Sequence, residues 1–137
     1  MLSKKIINLK NLIIKKNKIP VLNEKNILKE ALEAMSYHKY GVSFCVDDKG
    51  KLIGVLTDGD IRRKILDIQK PFSALLNDDI IKHINKKPSK IKINQSLSTA
   101  LKLMKKKLIW DLPAVDKDNK LIGMLHLHPI VKLLLKK

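Results

Sequence analysis

A single cysteine, Cys45, rules out an internal disulfide, and its place inside an apolar run marks it as a buried core thiol rather than a reactive one. Long hydrophobic runs are also missing. No stretch reaches the roughly 18 uncharged apolar residues of a membrane span, and lysines interrupt every short run of the N-terminal MLSKKIINLKNLIIKK. A soluble, cytoplasmic protein with no membrane partner is the expectation. Aromatic residues are scarce, at 4%, and Arg62 and Arg63 are the only arginines. That scarcity bears on the strongest compositional signal, a net charge of +16 from 29 basic and 13 acidic residues. Such a charge suits nucleic acid, but lysine spread from Lys4 to Lys137, with little to stack on bases, describes a solvated surface, and nucleic acid is not expected as a partner. What remains is 137 residues with 45% hydrophobic content, enough for one domain or one intimate pair of repeats.

The chain repeats itself. Leu52-Ile53-Gly54 recurs as Leu121-Ile122-Gly123, and the 69-residue offset holds without a gap for Leu28 and Leu97, Ala31 and Ala100, Met35 and Met104, Asp47 and Asp116, and Leu56 and Leu125. The matches fall on apolar, turn and glycine positions, so a fold is repeated and not merely a composition. In the first copy, Leu28, Ala31, Leu32 and Met35 make a helical apolar stripe. Two strands follow, Ser43 to Asp47 and Leu52 to Leu56, around an Asp48-Lys49-Gly50-Lys51 turn. Thr57-Asp58-Gly59-Asp60 then caps a second helix. The second copy places a helix over Ser96 to Lys107, a hairpin at Asp111 to Leu125, and a last helix that Pro129 can open. Short strands at Ile19 to Leu22 and Lys90 to Ile93 complete two βαββα units. The expected fold class is α/β (α+β), with the units related by a pseudo-twofold axis, their sheets packed together and helices shared. The expected boundaries are an amphipathic arm at 1–18 (Ile6, Leu9 and Ile13 on one side), copies at 19–66 and 88–137, and a linker at 67–87 with a short helix around Asp79 to Ile84.

Functional chemistry concentrates at Gly54-Val55-Leu56-Thr57-Asp58-Gly59-Asp60, where a strand ends and a helix begins. Free N–H groups and the helix dipole favour an anion there; Thr57 can donate to a phosphate, and Asp60 can accept both hydrogen bonds of a sugar diol. Asp58 belongs to the same turn, and Arg62 and Arg63 could add a charge-assisted phosphate contact. Equally, Thr57, Asp58 and Asp60 could do no more than cap the helix. Local physics leaves both readings standing.

The duplicated unit and the match of residues 54–60 to a G-x-[IVL]-[ST]-x-x-D pattern resemble a pair of cystathionine-β-synthase (CBS) domains over about residues 19 to 135. The resemblance implies a non-catalytic regulatory pair that often dimerises, requires no cofactor, and binds an adenine nucleotide (AMP or ATP) or a related ligand between repeats. It further implies that Asp60 holds the ribose, Thr57 the phosphate, and Pro20 and Val21, with Val42 and Ser43, the base. Thr57-Asp58-Gly59-Asp60-Ile61-Arg62-Arg63 and Gly123-Met124-Leu125-His126-Leu127-His128 are similar to the CBS tail of arabinose-5-phosphate isomerases of Kdo and lipopolysaccharide synthesis, whose active site lies in a sugar-isomerase (SIS) domain. Ser3 to Leu9 resembles the linker after that domain. A nucleotide-sugar such as CMP-Kdo and a SIS domain are therefore the implied ligand and partner. Sugar nucleotidyltransferases with a similar Thr-Asp-Gly-Asp segment are the alternative parent, and a dimerisation module with vestigial sites the alternative role.

At the 69-residue offset Thr57 becomes His126 and Asp60 becomes Pro129, so one standard site per chain is expected, on the first copy. His126 and His128, two apart on a strand, are expected to line the opposite cleft and not to hold a metal. His38 and His83 are expected at the surface, and Trp110 in packing.

Overall fold

The computed structural model describes residues 8–136. Ile6 and residues 3–7 of the linker-like segment lie outside them, as does Lys137. The elements run β1 (Ile14–Lys15), β2 (Val21–Asn23), α1 (Leu28–His38), β3 (Val42–Val46), β4 (Leu52–Thr57), α2 (Asp58–Asp67), α3 (Phe72–Leu76), β5 (Ile91–Lys92), α4 (Leu97–Lys107), β6 (Asp111–Val115), β7 (Leu121–His126) and α5 (Leu127–Leu135). This is a mixed α/β fold of two sheets, ordered β2-β3-β4 and β1-β7-β6-β5.

Each copy is built the same way. β2 and β3 are parallel, which needs a crossover, and α1 supplies it; α4 does the same between β5 and β6. β3–β4 and β6–β7 are antiparallel hairpins. At the first turn the Asp47 carboxylate accepts the N–H groups of Lys49 and Lys51, both at 2.9 Å, and Asp116 repeats this with Asp118 and Lys120. Gly50 and Asn119, 69 apart, both take positive φ, at 84° and 64°. The two turns bind each other: Leu52 N–H donates to Asn119 O at 2.9 Å and Leu121 N–H to Gly50 O at 3.0 Å. Their reciprocity is the pseudo-twofold axis written in hydrogen bonds.

The apolar stripes fill three clusters. Leu28, Ala31 and Met35 of α1, with Ile61 and Leu75, pack on Cys45 and Leu56 in the first copy. Leu97, Ala100 and Met104 of α4, with Ile130, pack on Leu112 and Leu125 in the second. Between the sheets, Phe44, Val55 and Leu52 meet Val115, Leu121 and Met124. The copies therefore share a sheet-to-sheet core, whereas each helical layer serves its own sheet, which differs from the expected sharing of helices.

Three further features lie in the leading and inter-repeat segments. In residues 8–18, Leu9 and Ile13 lie together on the second copy's core, and β1 pairs with β7. In the inter-repeat segment a 3₁₀ turn, Ile80–Lys82, lies within the range of the expected short helix, around Asp79 to Ile84, and α3 precedes it. His83 is buried, its Nε2 2.9 Å from Asp78 Oδ2, which also accepts Lys70 Nζ at 2.6 Å. The flanking charges suggested surface, but this carboxylate supplies a polar partner for Nε2, while Nδ1 is buried without one among the described residues.

Candidate functional site

Alternation along the strands decides which side chains can meet. On β3, Ser43 and Cys45 share one face, and Cys45 lies in the helix-side core; Val42 and Phe44 share the other, which looks toward the second sheet. On β4, Thr57 lies two residues after Val55 and so opens on that same side. The backbone leaves β4 into α2 there, with Asp58 N–H bound to Gly41 O at 2.9 Å. A Cβ at Gly41 would sit 2.6 Å from Asp58 Oδ2, the tip of an exposed side chain that would have to swing aside.

Thr57 and Asp60 form a reciprocal cap: Asp60 N–H donates to Thr57 Oγ1 at 3.1 Å and Thr57 N–H to Asp60 Oδ2 at 2.9 Å. Asp60 Oδ1 accepts Arg63 Nη2 at 2.8 Å. The capping role is thus present, and it leaves chemistry to spare. The Thr57 hydroxyl, already an acceptor, keeps its own hydrogen to donate, and the Arg63 ion pair is exposed enough to open at little cost.

These groups line a cleft of ≈ 900 Å³, the size range of small-molecule sites. Thr57, Asp58, Asp60, Arg62 and Arg63 stand on its first-copy wall together with Val42. The other wall belongs to the second copy: Pro88, Ser89, Trp110, Asp111 and His126. Of the remaining residues singled out from sequence, Pro20, Val21, Ser43 and His128 do not line this cleft. Pro20 is buried with its carbonyl bound to Phe44 N–H, Val21 packs against the inter-sheet core, and Ser43 faces the helices. Pro88, Ser89 and Asp111 stand 69 residues after Ile19, Pro20 and Val42. The wall expected from the first copy is therefore supplied by its counterpart, and applying the offset once more to those positions would have found it.

The second wall carries its own pair. Val42 faces Thr57 across β3 and β4; in the same register Asp111 faces His126 across β6 and β7, with Asp111 Oδ1 2.5 Å from His126 Nδ1. Burial raises the Asp111 carboxyl above its ordinary range, and the His126 hydrogen bond only partly offsets this. Tyr40 meets the His126 ring edge-on at 5.4 Å. His126 thus lines the same cleft as Thr57 and not an opposite one. His128 is separated from it because the strand ends at His126 and α5 begins at Leu127. Among the described residues no group of three or more His, Cys, Asp or Glu is arranged to hold a metal. Trp110, expected in packing, is 66% exposed. Cys45 is buried, and burial pushes its thiol up to about 11.

No helix among the described residues is long and apolar enough to cross a membrane. The chain is 34% identical over 139 residues to an uncharacterized protein of Helicobacter pylori, and 28% identical to the arabinose 5-phosphate isomerase KdsD of Francisella tularensis. These matches cover 99% and 97% of this chain but only 40% and 39% of the two relatives. Among solved structures, that of CBSX2 in complex with AMP superposes with a TM-score of 0.80 at 24% identity, covering 93% of this chain and 96% of that one. The CBS domain family matches residues 9–67 and 78–136, nearly the whole sequence. The chain belongs to the CBS-domain family, of which it holds a tandem pair.

Proposed function

We propose that this pair is a regulatory sensor that binds a phosphorylated nucleoside, either an adenine nucleotide or a nucleotide-sugar of the CMP-Kdo type, in the cleft between its copies. One observation carries the reading: the capped N-terminus of α2, with Thr57, Asp60, Arg62 and Arg63, opens into a cleft whose far wall comes from the other copy. A phosphate is met by the helix dipole, the Thr57 hydroxyl and the guanidinium groups, and a ribose diol by Asp60 once Arg63 yields. A ligand touching both copies can stiffen or shift one against the other, which is what a sensor requires. That CBSX2 is solved with AMP supports a nucleotide.

The similarity to arabinose 5-phosphate isomerase KdsD, of which this chain spans 39%, favours a cytoplasmic sensor serving a sugar-isomerase (SIS) domain, working as a homodimer and catalysing nothing itself. The test is calorimetry with AMP, ATP, CMP and CMP-Kdo on the wild type and Asp60→Asn. Asparagine keeps an oxygen for the Thr57 N–H, so the cap survives while the diol acceptor is weakened. At least one ligand is expected to bind, and at 100 times its Kd to stabilise the fold by about 2.7 kcal/mol; Asp60→Asn should weaken it about tenfold, the equivalent of one charged hydrogen bond. Failure of all four to bind, or an unchanged affinity in Asp60→Asn, rejects the proposal.

A further inference from the structure

Position 110 breaks the symmetry of the pair in a way that the cap chemistry does not explain. Gly41 and Trp110 are 69 residues apart and make the same backbone bond: Gly41 O accepts Asp58 N–H, and Trp110 O accepts Leu127 N–H at 2.8 Å. In the first copy that position is a glycine, where a Cβ would displace only the tip of the exposed Asp58 side chain. In the second copy its counterpart is Leu127, and the position carries the largest side chain of the twenty, the only tryptophan in the chain.

That indole has no packing role that accounts for it. It is 66% exposed and stands on the wall of the cleft. Its backbone is nonetheless fixed. Ile109 N–H closes onto Met104 O at 3.1 Å behind the left-handed Leu108, and Trp110 itself is tied to the start of α5. A tryptophan on a fixed backbone has only two side-chain torsions left to order, so its face can take a planar group at small entropic cost. Arg62, Arg63, Lys87 and Lys107 line the same cleft, against the carboxylates of Asp58, Asp60 and Asp111, so a molecule carrying that planar group can also carry an anion.

We propose that Trp110 is the residue that selects ligands by their base: its indole stacks on a nucleobase whose phosphate lies at Thr57 and the start of α2. The inference rests on the cleft reading above and narrows it, since a sugar phosphate lacking a base satisfies the anion wall but leaves the indole in water. Recognition is then divided between the copies, the first reading phosphate and sugar and the second reading the ring.

The sole tryptophan makes the test direct. Wild-type emission is titrated with AMP, CMP, ribose 5-phosphate and inorganic phosphate, and the affinities are repeated by calorimetry on Trp110→Ala and Trp110→Phe, exposed substitutions that leave the core intact. AMP or CMP is expected to quench the emission. Its Kd should rise about tenfold in Trp110→Ala, the fold-change to which 1.4 kcal/mol of stacking corresponds, with Trp110→Phe recovering part of the loss. Ribose 5-phosphate should bind more weakly than either nucleotide, and equally to wild type and Trp110→Ala. Nucleotide affinity unchanged in Trp110→Ala overturns the stacking role while leaving the cleft reading intact, as does ribose 5-phosphate binding as tightly as the nucleotides. An indole already shielded from water in the unliganded protein, at concentrations where it self-associates, assigns the residue to an interface between copies and also overturns it. If none of the four probes binds, the stacking role falls, while the cleft reading still stands or falls on ATP and CMP-Kdo.

Discussion

Asp111 holds in the second copy the place that Val42 holds in the first, and the exchange puts a carboxyl where the fold was built for an apolar side chain. Burial raises its pKa above the unfolded value near 3.9, against the pull of the His126 hydrogen bond. The folded state therefore binds the Asp111 proton more tightly than the unfolded chain does. The resulting stability is fully present below the unfolded pKa and is lost as pH rises through the folded one. Asparagine is neutral throughout and can still accept the His126 N–H. Thermal unfolding of Asp111→Asn should accordingly gain on wild type as pH rises from about 4, where the unfolded carboxyl ionises, through the raised range of the folded one. A difference that stays flat over this range would mean that burial does not govern the carboxyl. The same asymmetry explains why the site was half legible from sequence. Thr57 and Asp60 were readable because a cap and a ligand site use the same residue types at the same spacing. Asp111 was within reach of the 69-residue offset applied to Val42, but Trp110 was not, because its counterpart is a glycine and nothing in a linear pattern says that a strand end of one copy faces a helix start of the other.

Hairpins, turn residues and both crossover helices were readable at the level of elements because period and turn chemistry are local; Ser96, for instance, caps α4 by accepting Thr99 N–H at 3.1 Å. The exchanged strand was not. Ile14–Lys15 precedes the first copy yet pairs with β7 of the second, and Asn85, just ahead of the second copy, exchanges two backbone bonds with Val55 of the first, at 2.8 and 3.1 Å. This exchange gives a physical reason for the glycine in both Leu-Ile-Gly repeats, since at each a neighbouring backbone crosses where a Cβ would be. At Gly123 the Cβ runs into the Ile14 carbonyl oxygen, which the β1–β7 ladder holds in place; at Gly54 it meets the tip of a side chain, Ile84 Cδ1 at 2.5 Å, and the Asn85 carbonyl oxygen only at 2.9 Å. Gly123→Ala should therefore cost about 1–3 kcal/mol in urea unfolding, and Gly54→Ala less, because the Ile84 methyl can rotate away and the Asn85 carbonyl needs to give only slightly, whereas the Ile14 carbonyl lies far inside contact distance. Equal costs, or the reverse order, would mean that β1 is not firmly paired.

Neither copy encloses its own sheet completely. Phe44 and Met124, both fully buried, come from different copies and lie in the same inter-sheet cluster, and the exchanged segments bind each copy to the other's last strand. With burial of such a side chain contributing about 1.5–3 kcal/mol and domain stabilities near 5–15 kcal/mol, neither half can lose the shared layer and remain folded. The pair should then unfold as one unit, and the chain carries one natural reporter in each copy. Cys45 lies in the first copy, buried and with its thiol pushed up to about 11, so that at pH 8 an alkylating reagent meets it only when the first copy opens. Trp110 lies in the second, and its emission follows the β6 edge. Alkylation of Cys45 and fluorescence of Trp110 are expected to give the same urea midpoint. Met124→Ala should lower both together by an amount equivalent to about 2–5 kcal/mol, even though the substituted residue belongs to the second copy alone. Separate midpoints, or a Met124→Ala effect confined to Trp110, would show two repeats that fold independently. The cleft between them would then lack the rigid opposing walls on which a ligand could report.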